Sequence, residues 1–373
     1  MATFAREGFC ADTVGRALGK SLFNPYLALP IAAAATLLTG GHPTLSNLNL
    51  KLEAKDIAKI GRAAFILGVT GVALSVNDFL TKWSANNWTR TKFGDWNWDE
   101  EIVVVTGAST GIGASVVQNL LARNPCTTIV VFDYEPLAWT PPAGSKIYFY
   151  QCDLSDAAVV KSTCAKVRAE VGHPTVLVNN AGISRGASIL DGSYADVQIT
   201  IRTNLTAPFL LIKEFLPEMV KHNHGHIISI SSTSSLIPPP YIVDYAATKA
   251  GVTALHEGLQ LELSHLYKAP KVRLSLGIFN FVRTKIFATP QSGTGQAPFI
   301  FPVLHTETVA EHLVDALYSG YGSTIYLPET ARVVSKLRGG PEWLWRLVRG
   351  TATKLTVDFT GRHKIDPETF KLI

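Results

Sequence analysis

The run Glu101-Ile-Val-Val-Val-Thr106 passes without a spacer into Thr106-Gly-Ala-Ser-Thr-Gly-Ile-Gly113. A non-alternating apolar run of this length suits a strand buried on both faces, so it demands helices above and below a parallel sheet. Ala114 to Ala122 then read as a helix. A glycine-rich turn between strand and helix aims backbone N–H groups and the positive helix end at a phosphate, and its glycines admit close approach. The next strand, Thr128 to Phe132, ends in Asp133, about 20 residues past the turn. A carboxylate there can accept hydrogen bonds from both ribose hydroxyls and repels a 2′-phosphate, which favours NAD over NADP.

Further strands are expected at Lys146 to Gln151, leading to Asp153, and at Thr175 to Asn179, closing in Asn180-Ala181-Gly182. The apolar strand His226 to Ile230 runs toward Ser232. Thirteen residues later stands Tyr245-Ala-Ala-Thr-Lys249, whose tyrosine and lysine share one helix face. A nearby ammonium favours the phenolate and is expected to lower the phenol pKa from about 10 toward the working pH, as a general acid/base requires. The long helix expected over about Tyr194 to His222 contains Asn204.

In this order and spacing, the turn at Thr106 to Gly113, Asp133, Asp153, Asn179-Asn180-Ala181-Gly182, Asn204, Ser232 and the Tyr245/Lys249 pair resemble the short-chain dehydrogenases/reductases from about Glu101 to Leu327. The resemblance implies an α/β fold, a Rossmann-like, doubly wound, mostly parallel sheet of about seven strands, in a catalytic domain over 99–330. It implies catalytic roles for Asn204, Ser232, Tyr245 and Lys249, with Asn204 holding a water that links the lysine to solvent. It implies cofactor contacts from Gly107, Ser109, Thr110, Gly111, Ile112, Gly113, Asp133, Asp153, Leu154, Asn180, Ala181, Gly182, Tyr245, Lys249, Val282 and Thr284. One departure is visible. Where the family usually turns on a Pro-Gly pair, this chain reads Phe279-Asn280-Phe281, and asparagine is expected to take the turn that a glycine would.

The Asn280-Phe-Val-x-Thr284 wording is similar to the membrane-associated branch of 17-beta-hydroxysteroid dehydrogenase type 11 and retinol dehydrogenases. That likeness implies a lipophilic alcohol substrate (steroid, retinoid or long-chain), the endoplasmic reticulum or a lipid droplet, a cytosolic catalytic domain and a homodimer. The alternatives are an NADPH-dependent carbonyl reductase and a non-catalytic membrane scaffold that keeps the fold.

Apolar residues make up 47% of the 373, and the excess lies near the N-terminus. Leu27 to Gly40 and Ala63 to Asn77 carry no charge. Residues 1–98 are therefore expected to be a hydrophobic membrane-anchoring extension, with Pro25 and Pro30 kinking the first run. Whether the runs span or dip stays open, because Lys51, Lys55, Lys59 and Arg62 between them balance Lys82, Arg90 and Lys92 after them. Trp83, Trp88, Trp96 and Trp98 read as an interfacial belt.

Phe287 to Leu304, with Gly293 and Gly295, reads as a lid, and residues 331–373 as an amphipathic extension that covers a membrane, a dimer or a core face. A net charge of +5 without a basic stripe excludes a nucleic-acid binder. Cys10, Cys126, Cys152 and Cys164 show no metal-ligand spacing and read as reduced thiols.

Overall fold

In the computed structural model, residues 6–40, 52–89, 96–286, 299–354, 365–366 and 368–369 are described. The lid expected over Phe287 to Leu304 lies mostly outside them, as do Lys51, Arg90 and Lys92. The chain divides into two compact units, residues 1–5 with 9–84 and residues 6–8 with 85–373.

The first unit holds α1 (Ala11–Lys20), α2 (Pro25–Thr39) and α3 (Ala54–Ala85). Pro25 does not kink α2 but starts it, since proline lacks the N–H that a first-turn residue leaves unpaired. Asn24 caps that end by accepting from the Tyr26 N–H at 3.0 Å. The bend falls before the proline, where α1 and α2 meet at 49°. Of these helices, α3 alone is long and apolar enough to cross a membrane, and the bent pair passes the same test when counted as one.

The second unit is built on seven parallel strands: β1 (Ile102–Thr106), β2 (Thr128–Asp133), β3 (Ile147–Gln151), β4 (Val176–Asn179), β5 (His226–Ser232), β6 (Arg273–Phe279) and β7 (Ser323–Leu327). Their order is β3-β2-β1-β4-β5-β6-β7. The non-alternating apolar runs have the burial expected of them: Val103, Val104 and Val105 are all fully buried. Val103 and Val105 face α4 (Gly111–Arg123) and α9 (Thr306–Ser319). Val104 faces the other layer, with Leu211 and Phe215 of α7 (Ala207–His222) and Val160 of α5 (Ala157–Glu170). The order reverses between β1 and β4, so the crevice at their carboxyl ends is the topological switch point where a ligand binds in such sheets.

Two of the four tryptophans are not an interfacial belt. Trp96 and Trp98 stack on each other at 5.5 Å, Trp98 stacks on Tyr318 of α9 at 4.1 Å, and both pack on the first core layer. Burying these rings against α9 removes more apolar surface from water than an interface would.

The segment after α3 is fastened to the amino ends of β6 and β7. Asn86, 2% exposed, donates to the Gly322 carbonyl at 3.1 Å and accepts from the Gly322 N–H at 2.8 Å. The buried Arg273 guanidinium donates to the Asn86 carbonyl and the Thr89 hydroxyl. Asn87 donates to the Pro270 carbonyl at 3.2 Å. Asn86→Ala should cost about 2–4 kcal/mol, because it strands two buried backbone groups. Thermal unfolding of the purified full chain measures this, and a loss under about 0.5 kcal/mol would show that the clasp holds little.

Candidate active site

The site begins with the interlock of two loops. Thr106 Oγ1 accepts from the Asn180 and Ala181 N–H groups, each at 3.0 Å. Asn180 Nδ2 donates to the carbonyls of Thr106 and Gly107 at 2.8 and 2.9 Å. Gly107 adopts φ +66°, and a Cβ there would lie 2.8 Å from Ala181 Cα. A Cβ on Gly113 would lie 2.4 Å from the Gly107 carbonyl oxygen and 2.6 Å from Asn180 Nδ2. No side chain fits at either position.

The turn is braced on its other flank by Asp133. One carboxylate oxygen accepts from the Ser109 N–H at 2.8 Å and the other from the Glu135 N–H at 3.1 Å. Each keeps an unused lone pair. Trp139 Nε1 donates to the Ala108 carbonyl at 2.9 Å. Asp153 is held by the Ser155 N–H and hydroxyl, which leaves Leu154 buried between them.

These residues fit a dinucleotide. The N-terminus of α4 follows Thr110, which makes no side-chain cap, so the first N–H groups of Gly111, Ile112 and Gly113 remain available to a phosphate. Asn179, at the same crevice, buries both amide atoms without a hydrogen-bond partner. Thr284 borders the turn, since a Cβ on Gly111 would lie 3.3 Å from its methyl.

Ser232, Tyr245 and Lys249 come together beyond the turn. Ser232 closes β5, and its hydroxyl oxygen accepts from the Ser234 N–H at 3.1 Å. Tyr245 and Lys249 lie on α8 (Val243–Leu261), with the ammonium 5.5 Å from the phenol ring centroid. Lys249, 4% exposed, donates to the Ile230 carbonyl at 2.9 Å. A Cβ on Gly182 would lie 3.3 Å from Lys249 Nζ, so a small residue is needed beside the lysine.

The expected depression of the Tyr245 pKa is not what this environment gives. Burial pushes the phenol up to about 12, and the Ser232 hydroxyl pulls it the other way. Burial also pushes the Lys249 ammonium down to about 8. Desolvation outweighs the attraction between the two groups because both have left water.

Asn204 lies where expected, in helical chain that runs without interruption from Tyr194 to His222 but widens by one π turn. Tyr194–Ile201 (α6) ends in a π-turn over Arg202–Thr206, and α7 follows. Pro208, four residues on, has no N–H for the Asn204 carbonyl, which gives the ladder reason to break here. Asn204 Oδ1 accepts from the Ile183 N–H and Nδ2 donates to the Ile183 carbonyl, each at 2.8 Å. A second Nδ2 bond reaches Thr248 at 3.3 Å. One Oδ1 lone pair remains for a water.

Asn280 does not imitate a glycine, since it is not among the described residues with positive φ. It extends the sheet instead, donating its N–H to Leu327 at 2.9 Å and accepting from the Thr233 hydroxyl at 3.3 Å. Val282 then bridges Leu304, which places 281–284 across the mouth of the crevice.

The cavity over these groups measures about 160 Å³ and is mostly apolar. Ser184, Ile237, Pro239 and Ile242 form walls of it. The remaining wall comes from Ala331 and Val334 of α10 (Thr330–Leu337), and from Thr351 and Ala352 just past α11 (Glu342–Gly350). Part of the C-terminal extension therefore covers the cavity, held by a 2.8 Å bond from Arg338 to the Ser235 carbonyl.

A model of the short chain dehydrogenase family matches residues 101–288. Over 230 residues the chain is 36% identical to dehydrogenase RED2 of Cochliobolus heterostrophus, covering 61% of this chain and 85% of that one. It is 30% identical over 243 residues to estradiol 17-beta-dehydrogenase 11 of Rattus norvegicus, covering 64% and 78%. To retinol dehydrogenase 10-B of Danio rerio it is 31% identical over 245 residues, covering 58% and 71%. A short chain dehydrogenase/reductase from Burkholderia phymatum, solved in complex with NAD, shares the fold with a TM-score of 0.57 at 22% identity, over 67% of this chain and 96% of that one.

The Lys249 shift has a measurable sign. A lysine at about 8 when folded and near 10.5 when unfolded binds fewer protons in the folded state, so wild-type stability rises with pH across that window. Relative to Lys249→Met, the wild type should gain on the order of 3 kcal/mol between pH 7.5 and 10.5, at about 1.4 kcal/mol per pH unit. Denaturant unfolding of both proteins across that range reads the difference, and a pH-independent gap would overturn the assignment.

Proposed function

Because the chain belongs to the short chain dehydrogenase family and is an oxidoreductase acting on CH–OH groups, we propose that it interconverts a lipophilic alcohol and its carbonyl compound with NAD, attached to a membrane. The observation that carries the reading is the convergence of Ser232, Tyr245 and Lys249 on one apolar cavity beside the glycine turn.

A bound nicotinamide would supply the hydride acceptor or donor. The protein's residues do the rest. The Ser232 hydroxyl holds the substrate oxygen, and Tyr245 gives or takes its proton. Lys249 holds positive charge beside the phenol and reaches the ribose hydroxyls of the cofactor. Asn204 uses its remaining acceptor to keep a water in line with the lysine, so the proton has a route to solvent. Substrate oxygen charge develops where the phenol is desolvated, and this makes proton transfer from Tyr245 the step the site has to supply.

NAD rather than NADP follows from Asp133. Its carboxylate, at the end of β2, could accept from ribose hydroxyls and would repel a 2′-phosphate. The apolar cavity walls suit a steroid, retinoid or long-chain alcohol. The relatives, an estradiol 17-beta-dehydrogenase and a retinol dehydrogenase among them, support that class. The apolar helix α3 supports membrane attachment. A homodimer is part of the same reading.

Tyr245→Phe should slow alcohol oxidation by about 10²–10⁴-fold with little change in substrate KM, since it removes the group that takes the hydroxyl proton and no binding surface. Steady-state kinetics with a panel of retinols, steroids and long-chain alcohols test this, and undiminished turnover would sink the reading. Asp133→Ala should erase the preference for NAD. A preference for NAD that survived the substitution would remove Asp133 from the recognition of the ribose.

A further inference from the structure

We propose that residues 9–40 and 52–84 form a two-pass hairpin in a lipid bilayer, with both ends on the catalytic side and the Lys55–Arg62 end on the opposite side. The proposal rests on the membrane attachment above and narrows it to a bilayer.

The packing of this unit is inverted relative to a protein in water. Its buried side are small residues: Ala28, Ala32 and Ala35 on α2, and Gly61, Ala64, Gly68 and Gly71 on α3. A Cβ on Gly61 would lie 2.7 Å from Ala35 Cβ, and one on Gly68 would lie 2.6 Å from Leu29. The large apolar side chains face outward, with Phe65 58%, Ile66 64% and Phe79 53% exposed. In water this would leave the best core residues outside. In hydrocarbon, helices associate through close backbone approach by small residues and turn their large side chains to the lipid.

Three hydroxyls within the slab are satisfied by their own helices. Thr36, Thr70 and Ser75 each donate to the carbonyl four residues back, at 2.8–2.9 Å. Hydroxyls bonded to their own helix need nothing from water.

Charge fixes the slab. No Asp, Glu, Lys or Arg occurs over 21–50 or over 63–77. The contacts of Gly61 with Ala35, and of Gly71 with Phe23, run α2 and α3 antiparallel. Arg62, Lys59 and Lys55 therefore lie level with the end of α2, while Asp78 and Lys82 lie level with Lys20. Residues 63–80 hold one charge and span about 27 Å at 1.5 Å per residue, the thickness of a thin bilayer core. Basic residues at both ends match anionic headgroups on both faces. A dipping hairpin would bury Lys55, Lys59 and Arg62 in hydrocarbon, as would the oil beneath a lipid-droplet monolayer.

The chain on both flanks belongs to the catalytic unit. Arg6 pairs with Glu311 at 2.6 Å, and Glu7 accepts from the His305 N–H at 3.2 Å. Asn86 clasps Gly322 on the other flank. Both flanks therefore stand on one side, and the number of crossings is even.

The test uses the full chain in sealed microsomes and a membrane-impermeant maleimide. The exposed native Cys126 reports the catalytic side. Gly15→Cys reports the N-terminal flank, and Lys55→Cys, with Glu53→Cys as a second variant, reports the far end. Protection of buried Cys152 and Cys164 shows that each variant is folded. Position 15 should label together with Cys126, and positions 53 and 55 with the opposite accessibility, exchanged only by permeabilisation. Labelling of 53 and 55 together with Cys126 overturns the two-pass hairpin and leaves membrane attachment standing, as does opposite labelling of 15 and 126. Release of the protein by alkaline carbonate sinks the attachment itself.

Discussion

The site depends on one close approach, that of Gly107 to Ala181 where β1 and β4 end. Strand order reverses at this point, so the two loops diverge and leave a crevice. What keeps the crevice defined is the exchange between Thr106 and Asn180, in which a hydroxyl takes two backbone N–H groups and an amide returns two bonds to backbone carbonyls. From this join the rest of the site is set by register. β4 places Gly182 against Lys249, and β5, paired to β4, delivers Ser232 to the same level.

Much of this was legible because it rests on local rules. A non-alternating apolar strand, a glycine turn and a helix are contiguous, and Tyr245 and Lys249 are four residues apart on one helix. The sheet of about seven parallel strands was what the family resemblance implied. What escaped it was set by tertiary contact. The π-turn at Asn204 follows from Pro208, a signal present in the sequence but masked by a helical pattern that is otherwise unbroken. Asn280 looked like a substitute for glycine, whereas its partner is Leu327, 47 residues away in the chain and adjacent only once β6 and β7 pair. Trp96 and Trp98 followed an apolar run in sequence, yet their ring partners are each other, His224 and Tyr318. The wall built from Ala331 and Ala352 had no local pattern to reveal it.

The electrostatics of the site show why the lysine cannot be judged by its spacing alone. On an exposed helix, an ammonium beside a phenol stabilises the phenolate. Here Lys249 is buried and Tyr245 half-buried, so each loses hydration of its charged form, and the neutral phenol and the neutral amine are both favoured. The Ile230 carbonyl offsets part of the lysine's cost. A buried cation held by a single carbonyl is a poor stabilising device but a useful charge carrier, since a small change beside it moves its proton. The site trades stability for that responsiveness.

The two units follow opposite packing rules within one chain. In the catalytic unit, Val, Leu, Ile and Phe fill the interior, as water requires. In the hairpin, glycine and alanine fill the contact and the large apolar side chains stand outside. No single solvent rewards both arrangements. If both units were in water, exposing Phe65, Ile66 and Phe79 while burying glycines would forfeit most of the hydrophobic gain of the first unit. If the hairpin is in lipid, the same surface costs nothing, and the small-residue contact is what remains to hold α2 to α3. An apolar cavity opening on a chain that is partly dissolved in lipid would then draw its substrate from that phase, where a lipophilic alcohol is most concentrated.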